Sequence, residues 1–440
     1  MNVGIVTYWF ERGAAIVSRA YQEALSAQHR VFIYARGGEL SGRGDPNWDR
    51  PDVTWGKPVT DRLPTYIDWR DFKAWVTTHH LDAIIFNEQH SWDVIVRCQD
   101  LAATIGAYVD YYTADTIPFF GLYDFLLCNT QRHHSVFTQH PQAVYIPWGT
   151  DCQLFQPTVI SGGPVRFFHS AGMGGVELRK GTDILVRAFQ QVTGNARLII
   201  HSQVGLDRYA SVASLIHNDP RIEFIEATVG APGLYHLGDV YVYPSRLEGI
   251  GLTIAEALAC GLPVITTDCA PMNEFVQKDF NGKLVSVERY EQRVDGYYWP
   301  QSICSEPALT QAMQFYVDHV AELAQYRQQA RDSAVSHFNW RTNGANLAEA
   351  ITRFRKIDKP RELSRAALAY EHRSQSNLHM AAAFDSYTRD DLAQVRHQLP
   401  RGIRYNPRWL FNSGIWAMAF NAAAGRKVTH LLKPLRRKSV

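Results

Sequence analysis

The 440 residues include only six cysteines, and Cys98, Cys128, Cys152, Cys260, Cys269 and Cys304 never fall into a C-x-x-C pair. That scatter excludes a zinc ribbon, gives no disulfide framework and points to a reducing compartment. No apolar run approaches the roughly 20 residues a membrane-spanning helix needs. Net charge is +2, so the chain as a whole makes no case for nucleic acid. The opening MNVGIVTYWF lacks a basic leader and a cleavage site, and reads as a first strand of a cytoplasmic protein. The turn after it, Glu11-Arg12-Gly13-Ala14-Ala15, has no G-x-G-x-x-G, and the second strand ends in Arg36-Gly37-Gly38 rather than an acid. Those two absences exclude the dinucleotide fingerprint.

What is present is a soluble composition, 46% hydrophobic and 20% charged, at a length that suggests two domains. The most informative stretch is 239–286. Asp239–Tyr243 has the apolar, β-branched and aromatic pattern of a buried strand. Pro244 and Ser245 stop it, and Gly249-Ile250-Gly251 forms a loop where backbone can approach a ligand closely. A helix is predicted over Leu252–Cys260, ended by Gly261 and Pro263, and Val264–Thr267 is the next strand. Such a loop aims free N–H groups and a helix dipole at one place, which suits a phosphate. Glu248 and Glu256 bracket it. An acid beside a phosphate site repels the ligand unless the ligand also carries hydroxyls, because a carboxylate accepts two hydrogen bonds from a vicinal diol. Phosphate together with diols describes a sugar nucleotide.

The spacing Glu248-x7-Glu256, with Pro244-Ser245, Glu248-Gly249-Ile250-Gly251-Leu252, Glu256-Ala257-Leu258-Ala259, Gly261-Leu262-Pro263-Val264 and Asn273-Glu274 around it, resembles glycosyltransferase family 4. The resemblance implies a retaining enzyme of the GT-B fold: an α/β chain with two Rossmann-like doubly wound domains facing a cleft, followed here by a helical C-terminal extension. It also implies that Glu256 holds the ribose hydroxyls and that Glu248 lies beside the transferred sugar. The acceptor then attacks on the same face while the leaving phosphate takes its proton. Gly13 matches the family's first-loop glycine under the donor phosphates, and Lys180 matches its phosphate-binding lysine. The family's Gly-Arg arginine is replaced by Met173 in the loop Gly172-Met173-Gly174-Gly175, and Arg179 is the candidate substitute. Backbone around Val229, in Glu226–Gly230, matches the place where relatives hold the base.

Along the rest of the chain, strands are expected at Val3–Phe10, Val31–Ala35, Ala83–Asn87, Ala107–Tyr112, Asp124–Cys128, Ala143–Pro147, Val165–Ser170, Arg197–Ser202 and Ile222–Ile225. Helices are expected at Gly13–Gln28, Asp71–His80, Glu306–Phe338 and Trp340–Ile357, with 37–66 mostly loop. His90 follows a strand end, where open α/β sheets place ligands. It is a candidate contact to acceptor or donor phosphate, or a satisfied structural histidine. Thr113–Pro118 is a candidate acceptor surface, and the aromatic insertion 288–305 a candidate cleft wall. The expected domains are 1–157 (acceptor), 158–340 (donor), a helix 341–359 crossing back to the first, and a basic aromatic extension 360–440.

From Leu392 to Val440 there is no Asp or Glu, while Arg396, Arg401, Arg404, Arg408 and a basic run from Arg426 to Lys438 surround Trp409, Phe411, Trp416 and Phe420. Three readings stay open for this segment: an anionic membrane surface, packing on the core with a basic solvated face, or a nucleic-acid tail. No nucleic-acid partner is expected of the whole. The function read from all this is transfer of a sugar, hexosyltransferase-like, from a nucleotide diphosphate sugar to a glycan or lipid-linked acceptor. Glu248, Lys180 and His90 stand as candidate catalytic residues. The candidate donor-binding residues are Glu256, Arg179, Gly13, Gly249, Ile250, Gly251, Leu252 and Val229. No cofactor is expected besides the donor, and the absence of a D-x-D pair argues against metal dependence. The alternatives are a catalytically silent homologue serving as a carbohydrate-binding or partner subunit, and an epimerase of nucleotide sugars.

Overall fold

The computed structural model describes residues 1–37, 42–60, 62–63, 65–158, 162–173 and 177–425. Gly38, Gly174, Gly175 and the basic residues from Arg426 onward lie outside the described residues. Two parallel sheets organise the rest. The first contains β1 (Asn2–Thr7), β2 (Arg30–Ala35), β3 (Val53–Trp55), β4 (Ala83–Asn87), β5 (Thr104–Tyr108), β6 (Phe125–Cys128) and β7 (Ala143–Tyr145), in the order β3-β2-β1-β4-β5-β6-β7. The second contains β8 (Val165–Gly172), β9 (Ala196–Ser202), β10 (Ile222–Glu226), β11 (Val240–Tyr243), β12 (Val264–Thr267) and β13 (Gly282–Val285), in the order β10-β9-β8-β11-β12-β13. The central strands β4 and β11 are buried at every position, as unbroken apolar runs covered by helices on both faces must be.

Strand order reverses beside β1 in one sheet and beside β8 in the other. The carboxyl ends of β1, β4, β8 and β11 therefore open onto the crevice where such sheets bind ligands. The expected α/β fold of two Rossmann-like units with a helical extension is the fold observed.

Several element ends differ from expectation. The first strand stops at Thr7, short of Phe10. The strand expected over Ala107–Tyr112 is β5 at Thr104–Tyr108: its neighbour β4 ends at Asn87, which pairs with Tyr108, and only the Val109 N–H carries on, to the Leu127 carbonyl at 3.0 Å. Glu306–Phe338 is two helices, Glu306–Asp318 and Leu323–His337, separated by the 3₁₀ turn Val320–Glu322. The insertion 288–305 is largely a hairpin of β14 (Val287–Glu291) and β15 (Gln301–Cys304).

The helix Trp340–Arg353 lies on the first domain. Trp340 stacks on Tyr21 with centroids 5.8 Å apart, and its indole N–H donates to the Ala20 carbonyl at 3.0 Å. Beyond it, the helices Arg361–Thr388, Leu392–Tyr405 and Ser413–Ala424 share a small core of Met380, Ala383, Val395, Leu399, Ile415, Met418 and Ala422. The long helix is tied to the first domain by the buried Glu371, which accepts from the Ser91 hydroxyl (2.7 Å) and the Trp92 N–H (2.9 Å). Among the described residues no helix is long and apolar enough to cross a membrane.

Candidate active site

The end of β11 supplies one wall. Pro244, Ser245 and Glu248 follow the strand, and the helix Leu252–Ala259 begins after Gly251, whose φ of +95° is the left-handed conformation that favours glycine. The amides of Gly249, Ile250, Gly251 and Leu252 donate to no group among the described residues. Four free N–H groups at a helix start make an anion-binding concavity.

The opposite support comes from the loop after β8. Lys180 ends a single turn, Glu177–Lys180, and Gly181 (φ +69°) lets the chain pass against the Pro244 carbonyl: a Cβ there would lie 2.2 Å from that oxygen. This close approach brings Lys180 to Glu248. The Lys180 ammonium donates to Glu248 Oε1 at 2.6 Å and to the Tyr243 hydroxyl. Tyr243 (2.9 Å) and the Ser245 hydroxyl (2.5 Å) donate to the same oxygen. Glu248 Oε2 faces the Arg179 guanidinium at 3.9 Å. Burial alone would raise the Glu248 carboxyl, but Lys180, Arg179 and the donated hydrogen bonds hold it down at about 2. Burial lowers the Lys180 ammonium to about 8, against the pull of Glu248 and with Arg179 adding to the fall.

Glu256 projects from the second turn of the helix, and its Oε2 accepts from the Tyr235 hydroxyl at 2.5 Å. Burial raises its carboxyl above the ordinary range. His169, fully buried, braces the site from behind. It spans the Val242 carbonyl (2.8 Å) and the Thr182 hydroxyl (2.9 Å), tying β11 to the helix Thr182–Gln190.

The first domain faces this wall. A Cβ on Gly13 would lie 3.9 Å from Leu252 Cδ1, so the first βα turn and the Leu252 helix start are in contact range across the crevice. His90 sits edge-on to Tyr111, centroids 5.0 Å apart, and burial lowers its ring to about 4. Tyr111 in turn stacks on Tyr297 of the insertion at 5.2 Å. Thr113 bridges to Tyr297, so the hairpin covers one end of the Thr113–Pro118 stretch. Met173 is 54% exposed and Val229 39% exposed, neither packed into the core.

The structure thus brings Lys180, Arg179, Glu248 and the Gly249–Leu252 amides together, with Glu256 one helical turn on and Gly13 opposite. His90 belongs to the first domain, where its ring contacts Tyr111, and no contact joins it to this cluster among the described residues. Sequence reasoning missed Tyr243, Ser245, Tyr235 and His169, and also His133, which meets the Gly249 carbonyl from the other domain, with Tyr112 behind it and Trp299 behind Tyr112. One signal for them existed: Gln131-Arg132-His133-His134 follows β6, again at a strand's carboxyl end.

Residues 169–296 match the family model described as Glycosyl transferases group 1. A GDP-mannose-dependent alpha-(1-6)-phosphatidylinositol monomannoside mannosyltransferase of Mycolicibacterium smegmatis is 26% identical over 259 residues, 54% of this chain and 62% of that protein. An uncharacterized glycosyltransferase of Haemophilus influenzae is 28% identical over 123 residues, 27% of this chain and 35% of that protein. The chain thus matches between about a third and three fifths of the length of these curated relatives. Among solved structures, the sucrose-phosphate synthase of Thermosynechococcus elongatus aligns with a TM-score of 0.63 at 18% identity, over 80% of this chain and 98% of that one.

Proposed function

We propose that the chain, whose residues 169–296 match the Glycosyl transferases group 1 family model and whose fold aligns with that of a sucrose-phosphate synthase, is a retaining glycosyltransferase using a nucleotide diphosphate sugar. The observation that carries the reading is the Lys180–Glu248 pair beside four amides that have no partner among the described residues. Breaking a glycosyl–phosphate bond builds negative charge on the departing diphosphate. Donors already fixed in place stabilise that charge without reorganising. Lys180, Arg179 and the N–H groups of Gly249, Ile250, Gly251 and Leu252 take this role, with Gly13 closing over the phosphates.

Glu248 acts as a hydrogen-bond acceptor for the transferred sugar. A carboxylate held at about 2, with three donors on one oxygen, is too weakly basic to be a good nucleophile. The acceptor oxygen therefore bonds to the anomeric carbon on the face the phosphate leaves, and its proton passes to a phosphate oxygen as the glycosyl–phosphate bond breaks. Glu256 accepts from the ribose diol, the backbone near Val229 meets the base, and His90 lies toward the acceptor. The acceptor is a glycan or lipid-linked sugar, in keeping with the mycobacterial relative named for a phosphatidylinositol mannoside. The extension from Leu392 presents an anionic membrane with Phe411 (91% exposed), Trp416 (58%) and Phe420 (50%) on a segment without acids.

The test is a panel of sugar nucleotides incubated with the protein alone and with acceptors, scored for released nucleoside diphosphate. One donor should be consumed, Glu256→Ala should raise its KM, and Glu248→Gln should lower kcat. No consumption of any donor, or full activity in Glu248→Gln, would sink the reading.

A further inference from the structure

Three side chains from two domains form an unbroken hydrogen-bonded line that ends on the loop between Glu248 and Leu252. The Trp299 indole N–H reaches the Tyr112 hydroxyl at 2.7 Å, that hydroxyl meets His133 Nδ1 at 2.9 Å, and His133 Nε2 meets the Gly249 carbonyl at 3.0 Å. Trp299 and Gly249 belong to the second domain, Tyr112 and His133 to the first. Tyr112 and His133 are fully buried.

The proton positions along this line are dictated by chemistry. A carbonyl can only accept, so Nε2 carries the proton. In the neutral ring Nδ1 then accepts, the Tyr112 O–H donates to it, and the Tyr112 oxygen is left to accept from Trp299, which can only donate. Every member has one compatible role. Burial and the neighbouring Arg132 lower the ring to about 3, so it remains the neutral tautomer this line demands.

A second, independent set of contacts pins the short helix that carries His133 to the other domain. Glu274 accepts from the N–H groups of Gln131 (2.7 Å) and Arg132 (2.8 Å). The Arg132 guanidinium lies 4.6 Å over the Trp299 ring and donates to the Ala270 carbonyl. The imidazole is thus immobilised from both sides of the crevice.

In a trans peptide the carbonyl of one residue and the N–H of the next point in opposite directions. Holding the Gly249 carbonyl on His133 therefore sets where the Ile250 N–H points, and the Ile250 amide, in the candidate phosphate site, has no partner among the described residues. Among the described residues, its chain neighbours aside, no atom lies within 4 Å of the Gly249 Cβ position.

We infer that His133 is a positioning residue which the first domain contributes to the phosphate-binding loop of the second, with Tyr112 and Trp299 locking its tautomer. The inference rests on the glycosyltransferase reading, since it gives that loop a nucleoside diphosphate to hold. It makes the amide cradle a joint product of both domains: the loop takes its binding geometry only when the His133 helix is seated on it.

The experiment measures binding of ADP, GDP, UDP and dTDP to the full chain by calorimetry, alongside kcat and KM for whichever sugar nucleotide is consumed. His133→Phe fills the space but donates nothing, and should weaken the bound nucleoside diphosphate at least tenfold and raise the donor KM by a similar factor. His133→Gln restores an N–H at the same reach and should return both to within threefold of the parent. Tyr112→Phe removes only the tautomer lock, and should weaken binding about threefold or more. A folded His133→Phe protein with unchanged affinity, or His133→Gln no better than Phe, overturns the inference while leaving the glycosyltransferase reading standing. Should His133→Phe not fold, unchanged affinity in Tyr112→Phe overturns it instead. If the parent protein binds none of the four diphosphates, both readings fall together.

Discussion

Glu248 stands between two cations, Lys180 and Arg179, whereas Lys180 stands between one anion and one cation. Burial works against the charge on both groups; two cations outweigh it for the acid, whereas one anion offset by one cation leaves burial to prevail for the amine. The consequences can be separated by pH. The Glu248 carboxyl in the folded chain lies at about 2, below its ordinary 4.5. Its contribution to stability is therefore complete above the ordinary range and is lost as pH falls from 4.5 toward 2. Urea unfolding between pH 7 and pH 3 should show that loss, and Glu248→Gln should show less of it. The Gln protein should also start several kcal/mol less stable, because Lys180 is left buried without its anion. Lys180 works in the other direction. Its charge, needed to attract a diphosphate, is lost as pH rises through about 8. Donor kcat/KM, which reports the free enzyme, should fall above that pH, and Lys180→Arg should hold it level because a guanidinium stays charged.

At the scale of elements, two glycines decide whether the site can form. Gly251 needs a left-handed φ, but a Cβ there would crowd the Ile254 side chain, at 3.2 Å, which can shift, and would lie at ordinary contact distance from Phe275 Cε2, at 3.9 Å. Gly181 needs the same φ, and its Cβ would strike the Pro244 carbonyl oxygen at 2.2 Å, which is backbone and cannot. Gly251→Ala should cost about 1–2 kcal/mol, the usual strain of a left-handed alanine, and Gly181→Ala clearly more. Equal unfolding midpoints for the two variants would contradict this difference. These elements were legible because local chemistry repeats itself. Ala83–Asn87 opens on four apolar residues and Val264–Thr267 is β-branched throughout, each at its observed bounds, and the Leu252 helix announces its end in Gly261-Leu262-Pro263. Val109–Tyr112 misled because β-branched and aromatic residues continue there after the neighbouring β4 has ended at Asn87, opposite Tyr108. The break at Val320–Glu322 carries no glycine or proline to mark it.

For the whole molecule, what the sequence revealed of the site was its contiguous part. Glu248, Gly249–Leu252 and Glu256 lie within nine residues, so one motif displays them together. Tyr235 under Glu256, His169 behind β11 and the Trp299–Tyr112–His133 line depend on which distant elements meet, and a single sequence states no such pairings. The extension divides in the same way. Its absence of acids was plain, but its apolar residues split by face only in three dimensions. Ile415, Met418 and Ala422 turn into the small helical core, while Trp416 and Phe420, one turn apart, face outward near the almost fully exposed Phe411. The outward residues cost the fold little to change, which makes the membrane reading testable without unfolding anything. Sedimentation of the full chain with vesicles rich in phosphatidylserine should exceed that with phosphatidylcholine alone, and should fall with added salt. Replacing Phe411, Trp416 and Phe420 together by Ser should cut partitioning at least tenfold, since each ring buried in the interface contributes on the order of 1 kcal/mol or more, while donor binding stays unchanged. Undiminished partitioning of the triple variant would remove the exposed rings from the interface, and equal partitioning onto both lipids would remove the charge.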